Sequence, residues 1–116
     1  MEIAIKRVYE RPDAGDGYRV LVDRLWPRGV SRARAELDEW CKDVAPSSEL
    51  RTWFGHRPEL FEEFGQRYTT ELESSSAPQA LIERAAGADR LTLVYAAKDP
   101  QVNHALVLAD YLRRLT

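Results

Sequence analysis

The sequence predicts one α/β domain: a small, mixed sheet of three or four strands with helices packed on it. Three observations carry this prediction. Leu91 to Ala97 is an apolar run without polar alternation, bounded by Asp89-Arg90 and Lys98-Asp99-Pro100. A run that short reads as a central strand covered on both faces. Directly after it, Val102, Ala105, Leu106, Ala109 and Leu112 recur at helical spacing, and Val107, Leu108, Tyr111 and Leu115 widen the apolar face. The middle of the chain carries further helical patterns.

Taken in order, Ile3 to Tyr9 reads as a first strand with Ile3 and Ile5 on one face. Glu10 to Gly17 is dense in turn residues. This loop is shorter than a normal parallel crossover, so the first two strands are either antiparallel neighbours or not adjacent. Tyr18 to Leu25 reads as the second strand and passes into Trp26-Pro-Arg-Gly29, where Pro27 holds Trp26 out of helix. Val30 to Glu36 suits one helical turn, and Leu37 to Val44 a short edge strand. Ser47 or Ser48 caps a short helix in which Leu50, Trp53 and Phe54 share a face, and Gly55 ends it. Pro58 starts a longer helix with Leu60, Phe64, Tyr68 and Leu72 four residues apart. Ser76-Ala-Pro-Gln79 has the form of a capping box for a helix that buries Leu81, Ile82 and Ala85 and stops at Gly87. Asp99-Pro100 predicts the start of the last helix.

At 116 residues the chain is one domain, residues 1–116, with enough length to bury about two-thirds of its unfolded surface. Apolar residues make up 44% and charged residues 31%, which places it among globular rather than disordered chains. Seventeen basic against nineteen acidic side chains give a formal charge of −2, which disfavours a protein built to hold nucleic acid by phosphate contacts. The single cysteine, Cys41, permits no internal disulfide, and no paired cysteines suggest a metal site. No signal peptide or membrane-spanning run is apparent, so the expected location is the cytoplasm.

Two stretches carry candidate chemistry. In Asp23-Arg-Leu-Trp-Pro-Arg-Gly29, Arg24 and Arg28 stand where a strand gives way to a turn, and a guanidinium fork suits carboxylate or phosphate. The plainer reading pairs Arg24 with Asp23 or Asp38 and lets Trp26 plug the sheet edge. In Lys98-Asp-Pro-Gln-Val-Asn-His104, a cation stands beside a helix start, where backbone N–H groups and the helix dipole favour an anion. The plainer reading makes Asp99 or Asn103 a cap and His104 a packed residue bonded to backbone.

His56, in the turn Trp53-Phe-Gly-His-Arg-Pro58, reads as a cap on the preceding helix, although it and Arg57 lie within reach of the same cleft in some arrangements. Cys41 lacks neighbours that would activate it as a nucleophile and reads as a small hydrophobe. Glu62, Glu63, Glu71 and Glu73 read as a solvated face. Serine-triad, Walker, GxGxxG and HExxH patterns are absent, and no cofactor is expected.

The stretches Arg7-Val-Tyr9, Gly17 to Gly29 with its DRLWPRG core, Leu37-Asp-Glu-Trp40, Ala45-Pro-Ser47, Leu91 to Tyr95 and Asn103-His-Ala-Leu-Val-Leu108 together resemble the YeaO-like proteins, domain-of-unknown-function family 488. The resemblance covers nearly the whole chain. It implies a small bacterial or archaeal cytoplasmic α/β domain, and it implies no reaction. Larger relatives carry an Asp, an Arg and a proline at the same strand end, here Asp23, Arg24 and Pro27, which the resemblance reads as a shared pocket.

The functional expectation is a pocket for a small anionic molecule, phosphate- or nucleotide-like. Arg24, Arg28 and Lys98 supply charge, Trp26 a stacking face, Asn103 and His104 directional hydrogen bonds, and His104 or Asp23 any general acid or base. The alternative is a nucleic-acid or protein interaction surface made by Trp26, Arg28, Arg32 and Arg34. The acidic run of Glu36, Asp38 and Glu39 that follows it favours the first expectation.

Overall fold

A computed structural model describes all 116 residues. The strands are β1 (Glu2–Arg7), β2 (Tyr18–Leu21), β3 (Glu39–Trp40) and β4 (Arg90–Tyr95). The helices are α1 (Arg32–Ala35), α2 (Ser48–Phe54), α3 (Phe61–Glu73), α4 (Ala77–Ala85) and α5 (His104–Leu115). The sheet order is β1-β4-β2-β3, and all three pairings are parallel. Strand β4 is therefore central, as its apolar run predicts, and Leu91 to Tyr95 are all buried.

The mixed sheet expected from the sequence is corrected to a parallel one. Of the two arrangements left open for β1 and β2, non-adjacency is the one found: β4 lies between them. The ten residues from Val8 to Gly17 span at most about 35 Å. Descending past a six-residue strand takes about 20 Å, and stepping over one neighbour about 10 Å more. A short loop without a full helix is thus enough. It crosses the sheet face at Thr92, whose hydroxyl donates to the Asp16 carbonyl at 2.6 Å. Gly17 ends the crossing at φ 68°, where an added Cβ would stand 2.2 Å from the Arg90 carbonyl oxygen.

The two faces of the sheet are covered differently. Ile3, Val20, Val22, Leu91, Leu93 and Tyr95 face the helices and pack on Phe64, Tyr68, Leu81, Leu108 and Leu112. On the other face Leu21 and Val94 meet Val8, Val30 and Ala35, with Trp26, Leu37 and Trp40 at the margin. That second face also holds a buried ionic cluster. Asp16 accepts from Lys6 at 2.9 Å and from Arg19 at 2.6 Å, and Arg19 donates onward to the carbonyls of Ala35 and Glu36.

Several local expectations change. Strand β2 stops at Leu21 rather than Leu25, and the edge strand is only Glu39–Trp40. The last helix starts at His104, because Asn103 and not Asp99 is its cap: Asn103 Oδ1 accepts from the Leu106 amide at 3.0 Å. Asp99 instead closes a turn onto the Gln101 amide. Ser76 makes no side-chain cap; the Ser75 hydroxyl accepts from the Ala77 amide. Glu71 is not on a solvated face, since its carboxylate accepts from the Ser47 amide at 2.9 Å and the Ser47 hydroxyl at 2.6 Å. It ties α3 to the capped start of α2. No helix is long and apolar enough to cross a membrane.

Candidate anion-binding cleft

Neighbouring strands β2 and β4 run parallel, but the chain leaves their carboxyl ends toward opposite faces. After β2 it covers the face holding Val30 and Ala35, and after β4 it enters α5 on the helical face. A crevice must open where two such connections diverge, and α/β proteins bind ligands in that crevice. Here it is a cleft of about 570 Å³ lined by Asp23, Arg24 and Leu25 after β2 and by Ala96 to Asp99 and Val102 to His104 after β4. Ala45, Pro46, Arg51, Phe54, His56 and Phe64 complete it from the α2 and α3 side.

Asp23 is fixed from three directions. Its carbonyl accepts from the Trp40 indole at 2.8 Å, and its Oδ2 accepts from the Ala96 amide at 3.0 Å, joining the ends of β2 and β4. Its Oδ1 lies 3.1 Å from His104 Nε2. The same nitrogen lies 3.1 Å from the Val22 carbonyl oxygen. That carbonyl only accepts, so Nε2 carries the proton. Its N–H is aligned with Val22, and Asp23 Oδ1 stays buried with no aligned donor of its own. With Nε2 committed in this way, the second ring nitrogen, Nδ1, is the one left for a cleft occupant.

The positive side chains are unneutralised. Arg24 donates through Nε and one terminal nitrogen to the Pro46 carbonyl, at 3.3 and 3.2 Å, which orients the guanidinium without cancelling its charge. Arg24, Arg51 and Lys98 form no salt bridge. They outnumber the two lining carboxylates, Asp23 and Asp99, and Asp23 is turned to the backbone and His104. His56 reaches the cleft from a left-handed position, φ 59°, directly after Gly55 at φ 53°. Arg57, not His56, caps α2, donating to the Phe54 and Trp53 carbonyls.

Of the residues singled out in the sequence, Asp23, Arg24, Lys98, Asn103 and His104 meet in this cleft. Both polar atoms of Asn103 are engaged there, Oδ1 by Leu106 and Nδ2 by the Asp99 carbonyl at 2.9 Å. Trp26 and Arg28 do not line it. The Trp26 indole donates to the Val30 carbonyl, its ring packs edge-on against Trp40, and Arg32 lies 4.3 Å from its centroid. Arg28 is exposed, and its carbonyl accepts from the Tyr9 hydroxyl. Cys41 is buried away from the cleft, and burial together with the Glu39 charge pushes its thiol above the usual range. Arg51 was not legible as a site residue, since nothing local shows which sheet face carries α2. No group of three or more His, Cys, Asp or Glu side chains is arranged to hold a metal ion.

Comparison with known proteins covers nearly the whole chain. Residues 2–116 match the family DUF488-N3i, described as the inactive DUF488-N3 subclade. The chain belongs to this family. It is 45% identical over 115 residues to "Uncharacterized protein YeaO" of Escherichia coli (strain K12), covering 99% of this chain and 100% of that protein. It is 46% identical over 110 residues to "Uncharacterized protein Rv3073c" of Mycobacterium tuberculosis (strain H37Rv), covering 95% and 92%. No solved structure matches the chain.

Proposed function

We propose that the cleft binds a small anionic ligand, of the phosphate or carboxylate class, and does so without turning it over. One observation carries the reading: Arg24, Arg51 and Lys98, from three separate segments, border one concavity and lack carboxylate partners. Cations left unpaired around a concave site are the natural complement of an anion. The start of α5 adds the positive end of a twelve-residue helix. The description of the family as an inactive subclade supports binding without reaction. Asp23 and His104 then serve as positioning residues, holding the strand ends and the start of α5 together.

The test is titration calorimetry at low salt with phosphate, sulfate and nucleotides. Saturable binding is expected. Arg24→Ala and Lys98→Ala should each weaken it by about ten- to a hundredfold, the range of one charge-assisted hydrogen bond. No saturable binding, or binding indifferent to both substitutions, overturns the proposal.

A second reading keeps the basic-aromatic surface on the opposite face as a nucleic-acid or protein contact. It is favoured by exposed Arg32 and Lys42 stacked on Trp26 and Trp40, at 4.3 and 4.1 Å from the ring centroids. Against it, Arg32 already occupies the Trp26 face on which a base would stack. A steep loss of affinity for DNA or RNA with rising salt would favour this second reading.

A further inference from the structure

We infer that the ligand of this cleft has an apolar body carrying a single anionic group; the inference rests on the anion-binding reading above and narrows it. The walls and floor are apolar: Leu25, Pro46, Phe54, Phe64, Ala97 and Val102. Leu25 lines the mouth and is 60% exposed, so its side chain is open to an occupant.

The uncharged side chains able to read a polar body are few, and only His104 Nδ1 and the exposed His56 imidazole remain free. The lining contains no serine, threonine, tyrosine or glutamine, and its one amide, Asn103, has both polar atoms bonded to backbone. Asp23 Oδ2 is taken by Ala96, and Oδ1 is buried. His104 has spent Nε2 on Val22. A sugar or a nucleobase entering this space would find at most these two imidazoles for its several hydroxyl or ring polar groups, and unpaired buried polar groups are costly. The cations, by contrast, come from exposed Arg51 and Lys98 and half-buried Arg24, so charge is read at the mouth while the body lies against the apolar wall.

The test compares four probes by calorimetry on the intact chain: hexyl phosphate, phenyl phosphate, ribose 5-phosphate and inorganic phosphate. Each buried methylene contributes about fourfold in affinity, so hexyl phosphate should bind at least about tenfold tighter than inorganic phosphate. Phenyl phosphate should follow it, and ribose 5-phosphate should gain nothing. Leu25→Ser, a change at an exposed position, should weaken hexyl phosphate and leave inorganic phosphate unaffected. Ribose 5-phosphate binding as tightly as the hexyl ester overturns the inference while leaving the anion reading intact. Absence of binding by all four overturns both.

Discussion

Replacing Asp23 with asparagine probes the joint on which the cleft is built. The carboxylate serves two neighbours, accepting from the Ala96 amide through Oδ2 and facing His104 Nε2 through Oδ1 at 3.1 Å. Asparagine has one acceptor oxygen and one donor nitrogen in the same space. If its oxygen keeps Ala96, its NH₂ meets the imidazole N–H that donates to Val22; if the amide flips, Ala96 loses its acceptor. One half-buried contact is lost either way, which costs about 1–2 kcal/mol. For a chain of this size that is a melting temperature lower by about 4–8 °C.

Urea unfolding gives the free energy, and a double-mutant cycle with His104→Phe isolates the pair. Without the imidazole N–H, Asp23→Asn should cost under about 0.5 kcal/mol, leaving a coupling of about 1 kcal/mol. Stability unchanged to within about 0.3 kcal/mol in both backgrounds would mean that Asp23 Oδ1 and the His104 N–H do not interact, and α5 would lose its tie to the end of β2 through this pair.

Three further outcomes are expected. Gly17→Ala forces a Cβ to 2.2 Å from the Arg90 carbonyl at a left-handed φ, so it should destabilise by more than about 2 kcal/mol in urea titration; a neutral result would contradict the placement of β2 beside β4. Glu71→Ala removes two hydrogen bonds to Ser47 and should cost about 2–3 kcal/mol, much of which Ser47→Ala should already forfeit; full additivity would show that the two residues do not interact.

Acid should unfold the chain through Asp16 and Glu39. Burial raises the Asp16 carboxyl, but hydrogen bonds from Lys6, the Asp13 amide and Arg19 outweigh it and hold it below its usual value. Glu39 is likewise raised by burial and lowered further by Arg84 and Tyr18. A carboxylate depressed in the folded state stabilises above its unfolded pKa, so their contribution is intact above about pH 5 and is lost progressively as pH falls below about 4 through their lowered folded values. Stability that does not fall below pH 4 would refute this.

The central strand, the α3 stripe and the strand-end turns were legible because each rests on local pattern. Leu91 to Ala97 shows burial on both faces directly, and Phe64, Tyr68 and Leu72 fall on one side of α3 as their spacing predicts. Strand direction was not legible. A loop as short as Val8 to Gly17 fits antiparallel neighbours and a one-strand skip equally well, and only β4, some seventy residues later, decides between them. Cap identity failed for a related reason: Asp99-Pro100 and Asn103 are both competent by composition, and the buried cleft edge selects Asn103. Arg51 was hidden, and His56 stayed undecided between a helix cap and the cleft, because their place depends on how α2 docks, where Glu71 ties α2 to a different helix.

An anion bound between the ends of β2 and β4 would contact the backbone of both turns. Backbone amide shifts recorded by NMR while inorganic phosphate is added would show this directly. Shifts concentrated at Asp23 to Leu25, Ala96 to Lys98 and Asn103 to Ala105, and abolished by Arg24→Ala with Lys98→Ala, are the predicted result. Shifts centred on Arg28 to Lys42, or none at saturating phosphate, would contradict it.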